Sequence, residues 1–233
     1  MTVVTWPSVG ISTDNLHPRG KSLSPGPGLD GVEQIVTTEN RIWQGEITLA
    51  PLVGDDVALW DAFLDQLDGR RGVFDLPVPN LFKIDAGASD AEFQASIGLT
   101  AAQIAAGRTG FSDSSQFSDG TGFALPTYSE PTARDAAAVG ATSVYITGST
   151  SSIIKVGSKF SVNNFLYRVS ANASGMLSFT PPLREAIPAG TALSMTAPTI
   201  RLRLQEDDGG RVPHLPGNVK TGVSISVVEV LAR

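Results

Sequence analysis

The residues that can do chemistry are few and poorly spaced for it. The chain has two histidines, His17 and His214, and no cysteine. Disulfides and thiolate metal sites are therefore impossible, and the redox compartment stays open. Each histidine sits beside proline, in HP and PHLP, a setting that favours loops. A zinc site would have to take its other ligands from carboxylates, and no HxxxH-like spacing is present. A Ser-His-Asp hydrolase needs a serine held against a histidine, and the chain has no GxSxG. A glycosidase needs two carboxylates facing each other across a cleft. The cluster Glu206, Asp207 and Asp208 is more simply a solvated loop.

Three further stretches imitate binding motifs. Gly26-Pro27-Gly28-Leu29-Asp30-Gly31 matches GxGxxG letter for letter. A dinucleotide loop needs a strand before it and a helix after it, so that the pyrophosphate meets a helix N-terminus. Here SLSP precedes and VEQIV follows, and Pro27 stiffens a loop that needs free amides, so a glycine-rich turn is expected. Gly20-Lys21-Ser22 matches the end of a P-loop, but Asn15 stands where the first glycine belongs. Asp113–Gly120 (DSSQFSDG) can offer oxygens to a cation, without the spacing or terminal Glu of an EF-hand loop. Phe111, Phe117, Phe123 and Tyr128 are spread through the same region. Sugar-binding loops use aromatics in this way, with Phe117 and Tyr128 the candidate glycan contacts; packing down as loop anchors is the commoner use. No catalytic, cofactor or metal residues are assigned, and no enzyme activity is expected.

The elements that would position any site are mostly strands. The chain is 233 residues long with 41% hydrophobic residues, enough for one large β domain or a domain with a second one inserted. The net charge is −6 with both signs mixed throughout, which argues against a nucleic-acid-binding surface. No apolar run approaches a membrane span. The start, MTVVTWPSVGIS, lacks the pattern of a signal peptide, so a soluble protein made without Sec export is expected.

Residues 1–31 are rich in turns and read as an extended arm with short strands. Ile47 and Leu49 share one face of the run Arg41–Leu49, with Glu46 and Thr48 on the other. One helix stands out, over 56–67. Val57, Trp60, Phe63, Leu64 and Leu67 recur at spacings of three and four. Asp55 or Asp56 is the expected N-cap, and Gly69 the left-handed C-terminal residue, followed by Arg70 and Arg71. About 12 residues of helix are marginal alone, so the stripe must lie on a sheet. Val73–Leu76 then returns as a strand.

Residues 81–142 read as a long irregular region, with a short helix at Leu99–Ala106 capped by Thr100. Five short β runs follow at 143–147, 159–162, 165–170, 177–180 and 192–196, which suggests a small barrel-like domain over 143–198. Ile200–Leu204 and Val223–Leu231 alternate again. The expected architecture is mainly β: a β-sandwich-like domain from 1–80 plus 199–233 with one covering helix, interrupted by a small β-barrel-like insert.

Several stretches together carry a family resemblance. They are RIWQGEITLAPL, WDAFLDQLDGRRGVFDLP, GSKFSVNNFLYRVS, PPLREAIPAGTAL and the closing RLRL and SISVVEVL strands. The layout is similar to the distal tail proteins of long-tailed bacteriophages and tail-like particles. The most specific part is W-x-x-F-L-x-x-L-x-G-R-x-G-x-F, formed by Trp60, Phe63, Leu64, Leu67, Gly69, Arg70, Gly72 and Phe74. The resemblance implies a structural virion protein at the tail tip, assembled in the host cytoplasm. It implies a homohexameric ring that joins the tail tube protein to the baseplate hub and supports receptor-binding parts. The Asp/Ser/Gly-rich segment 85–130 departs from a compact insert. A carbohydrate-binding module that engages host surface glycan, or another tail or decoration protein, are the alternative expectations. Residues 1–31 and 85–130 are the elements able to reach a neighbouring subunit.

Overall fold

The structure is a computed structural model of the chain. It describes residues 3–20, 22–24, 26, 29, 31, 33, 35–37, 41–78, 94–95, 98–109, 122–125, 129–148 and 154–231. The first part of the chain supplies strands β1 (Val3–Thr5), β2 (Ile11–Asp14), β3 (His17–Arg19), β4 (Ser22–Leu23), β5 (Val36–Thr37), β6 (Ile42–Leu49) and β7 (Leu52–Val53). Helix α1 (Asp55–Leu67), a 3-10 turn at Gly69–Arg71 and β8 (Val73–Pro77) follow. Helix α2 (Ala101–Ala106), β9 (Arg108–Thr109) and β10 (Phe123–Ala124) come next. Then come β11 (Thr132–Ala133), β12 (Ser143–Thr147), β13 (Lys159–Val162), β14 (Phe165–Ala173) and β15 (Met176–Thr180). The chain closes with β16 (Thr199–Leu204), β17 (Val219–Lys220) and β18 (Ser224–Glu229).

The fold is mainly β, with several sheets, and sandwich-like. The main sheet runs β1-β8-β16-β18-β6-β2, with β3 also on β6. Its β1–β8 pair is parallel and the remaining pairs are antiparallel. Alternation sets the faces. Ile200, Leu202 and Leu204 are buried, while Arg201 and Arg203 point away. Ile225, Val227 and Glu229 share the buried register of β18, so a carboxylate stands where the pattern calls for an aliphatic.

Helix α1 lays Val57, Trp60, Phe63, Leu64 and Leu67 onto this sheet. Trp6, Trp60, Phe63 and Phe74 pack ring to ring with centroids 5.3–5.7 Å apart. Large aromatics bury much apolar area, and their edge-to-face contacts add to it. The expected Asp cap is corrected. Gly54 is the N-cap at φ 62, with no side-chain cap, and Asp55 and Asp56 fall inside the first turn. There they still face the positive end of the helix dipole. At the other end Asp68 (φ 51) is left-handed before Gly69 (φ 63) repeats that conformation.

The insert forms a second core. Its sheet runs β11-β12-β15-β14-β13. Residues 192 and 194 bridge Thr132 and Ser161, so one segment touches both edge strands and closes the sheet on itself. The expected strand over 192–196 is thus only a pair of bridges. Phe160, Tyr167 and Phe179 pack at its centre. The expected boundary at 143 also moves. Thr132–Ala133 pairs with β12, so the unit starts near 131. Within the supposed irregular region, α2 carries the expected Thr100 cap as a capping box with Gln103, and β9 pairs with β10. Leu166 is the exception to the division, since it belongs to an insert strand but packs in the first core.

Candidate functional site

Three features converge on the first unit: a strap over the helix, a polar seam to the insert, and an open groove. The strap is the 205–220 connection, expected as a solvated loop at Glu206–Asp208. All three are exposed, as expected, and Asp207 also ties the loop to the helix C-terminal turn, its Oδ1 accepting from the Arg70 amide at 3.0 Å. Trp60 Nε1 donates to the Gly210 carbonyl at 3.1 Å, fully buried. A Cβ at Gly210 would meet Ile225 at 2.7 Å and Trp60 at 2.9 Å, and its φ of +80 also suits glycine alone. At the helix start, Gly54 N donates to Asn218 O at 3.0 Å and Asn218 Nδ2 donates to Gly54 O at 2.9 Å. His214 Nε2 lies 3.3 Å from Asp61, which also pairs with the buried Lys220. The exposed Arg211–Asp65 pair adds little beside these.

The seam joins β6, β18 and the insert. Glu229 accepts from the Trp43 amide at 3.0 Å and from Arg184 Nη2 at 3.1 Å. The Arg184 and Glu229 side chains are only 7% and 0% exposed. Arg184 also donates to the Arg41 carbonyl. Trp43 Nε1 donates to Leu166 O at 2.7 Å, and Arg168 lies over its ring at 5.1 Å. Further along, Asp75 accepts from Arg201 Nε at 2.7 Å, Arg201 Nη2 at 2.8 Å and Asn164 Nδ2 at 2.8 Å. This bidentate hydrogen bonding holds the Arg201 pKa above its usual value. Lys159 pairs with Asp14 at 3.0 Å. Such a set of directional, partly buried bonds fixes the orientation of the insert on the first unit.

Tyr167 gives the seam a pH signature. Its hydroxyl accepts from the Arg184 amide at 3.1 Å. Burial, the main cause, pushes its pKa up to about 12. A group whose folded pKa is raised contributes stability below its unfolded pKa, near 10, and loses it as pH rises towards the folded value. Wild-type stability is therefore expected to fall by about 2 kcal/mol between pH 10 and 12 from this group alone. Urea midpoints at pH 9 and 11.5 test this: Tyr167→Phe should show a smaller loss than wild type, and an equal loss would remove Tyr167 as the source.

The groove, about 820 Å³, lies where the chain crosses from β1 to β2. Trp6, Pro7, Val9 and Ile11 form its apolar walls with Val78 and Ala197. Asp14 and Asp75 also line it, each already paired with a cation.

The motif residues singled out in the sequence come together, but as core. Trp60, Phe63, Leu64, Leu67 and Phe74 are buried in one cluster, and Gly69 and Arg70 make the turn beside them. Phe123 lies on β10, half exposed. Phe111, Phe117 and Tyr128 lie outside the described residues, as does the cation candidate Asp113–Gly120. After Gly31 the chain goes on to β5, as a turn would and a dinucleotide loop would not. His17 Nδ1 lies 3.1 Å from Asn15 O, a local turn contact. Among the described residues no three His, Cys, Asp or Glu side chains gather where they could hold a metal ion, and no helix is long and apolar enough to cross a membrane. The Glu229–Arg184 pair escaped the sequence reading. Its one signal was a carboxylate on the aliphatic face of an alternating strand.

Compared with known proteins, the chain matches no family model, and no curated protein matches it.

Proposed function

We propose that the chain is a structural protein of the tail tip of a long-tailed bacteriophage or tail-like particle. In this reading the first unit is the ring-forming domain, and the insert projects from it. Identical copies close into a ring, hexameric as the resemblance implies, between the tail tube and the baseplate hub, with receptor-binding parts attached. The chain performs no catalysis in this role.

The observation that supports the reading best is the state of the main sheet. Among the described residues, neither β1 on one side nor β2 and β3 on the other has a further strand beside it. Exposed edges invite pairing, and stable proteins cover or pair them. Identical chains most often do so in a closed, symmetric assembly. The strap and the seam make each copy stiff, which suits a load-transmitting ring.

The mass of the purified protein, by light scattering after gel filtration, tests this together with negative-stain images. Rings with a central hole are the expected result. A monomer at every concentration overturns the proposal.

A further inference from the structure

Resting on that ring reading, we infer that the β4–β5 hairpin of one copy docks into the groove beside Trp6 of the next copy. This contact is the head-to-tail joint of the ring. The N-terminal segment was expected as a reach-across arm, but residues 3–19 build strands of the chain's own main sheet. Segment 85–130 lies largely outside the described residues, and within the N-terminal segment what is left to reach outward is the hairpin. Its register pairs Ser22 with Thr37 and Leu23 with Val36. Directly paired residues share one face of the ribbon, so Leu23 and Val36 form an aliphatic pair. Leu23 is 72% exposed, Val36 66% and Ile35 60%. Among the described residues, the two strands pair only with each other. An isolated two-stranded hairpin is marginal in water and needs a surface to pack on.

The groove offers that surface. Its walls are Trp6, Pro7, Val9, Ile11, Val78 and Ala197, and none of the described hairpin residues lines it. Its two carboxylates are neutralised by Lys159 and Arg201, so an aliphatic guest meets no uncompensated charge. The hairpin leaves the sheet between β3 and β6, whereas the groove lies at the β1-to-β2 crossing against the end of β8. The described residues thus form two different, complementary apolar patches that are not brought together within one copy. Two such patches satisfy each other between copies. That contact is heterologous, and it makes a ring when the rotation closes.

The absence of cysteine makes disulfide trapping clean. Ser8, exposed on the groove wall, and Leu23 on the hairpin are the positions to use. Mixing full-length Ser8→Cys with full-length Leu23→Cys under mild oxidation should give a linked heterodimer, which can form only between copies. The double variant should give a ladder that ends at the ring size. Leu23→Glu with Val36→Glu should weaken association by about a hundredfold, since central apolar anchors dominate interfaces. Its thermal unfolding should match wild type at concentrations low enough for both to be monomeric, because both side chains are exposed in the single copy. Rings that persist in this glutamate variant and give no heterodimer overturn the hairpin assignment and leave the ring standing. A link confined to single copies of the double variant places the hairpin in its own groove, and also overturns the inference. Wild-type protein that stays monomeric overturns the ring reading itself.

Discussion

Replacing Glu229 by alanine is expected to lower folding stability by about 3–5 kcal/mol. The Arg184 guanidinium would then stay buried without its carboxylate, and the Trp43 amide would lose its acceptor. Removing one partner of a buried pair is far more damaging than replacing both with apolar groups. Glu229→Leu combined with Arg184→Met should therefore recover most of the loss. Glu229→Gln, which keeps an acceptor for Trp43, should fall between. Urea unfolding of the three variants and wild type measures this. A loss under about 1 kcal/mol for Glu229→Ala would mean that the seam tolerates the lone cation, by water entry or by movement of the insert. Salt should change the result little, since buried pairs are weakly screened.

Trp60→Ala is the second large effect, again about 3–5 kcal/mol. The side chain is fully buried and packs against Trp6 and Phe63. Its loss would open a cavity under the helix and leave the Gly210 carbonyl without its donor. Trp60→Phe separates the two contributions. It keeps most of the packing, with a smaller cavity than alanine leaves, and loses the indole N–H, so about 1–3 kcal/mol is expected. If Trp60→Phe matched Trp60→Ala, the bond to the strap, rather than the packing, would be what holds the helix in place. Limited proteolysis within 205–218 should report the same event, because a strap that has lost its anchor opens more often.

Local patterns were legible in the sequence and long-range polar pairs were not. The helix stripe from Val57 to Leu67 and the alternation of Ile200–Leu204 follow from periodicity, and both are present as read. Caps were harder. Asp55 and Asp56 have the right chemistry, but the chain enters α1 through Gly54 at a positive φ, held by Asn218, far away in sequence. Asp207 is solvated as read, but its bond to the Arg70 amide, far away in sequence, left no local sign. The insert boundary failed by about ten residues, since a two-residue strand such as Thr132–Ala133 has no periodicity to detect. Nothing in Glu229 or Arg184 alone announces a partner across 45 residues. Only the misplaced charge on β18 hints that one must exist.

The register between β8 and β16 has a consequence for how such chains diversify. Pro77 and Thr199 face each other in adjacent antiparallel strands, so the excursion leaves and re-enters the sheet at neighbouring points. The whole segment between them is topologically a loop on a hairpin. It can be exchanged for another module, or shortened to a tight turn, without rethreading the sheet. Recombination is therefore permitted by the backbone and policed by the seam, above all by Trp43 and Glu229 and also by Asp75 and Asp14. A replacement module must bring a carbonyl for the Trp43 indole and a cation for Glu229, or the host sheet must give both up together.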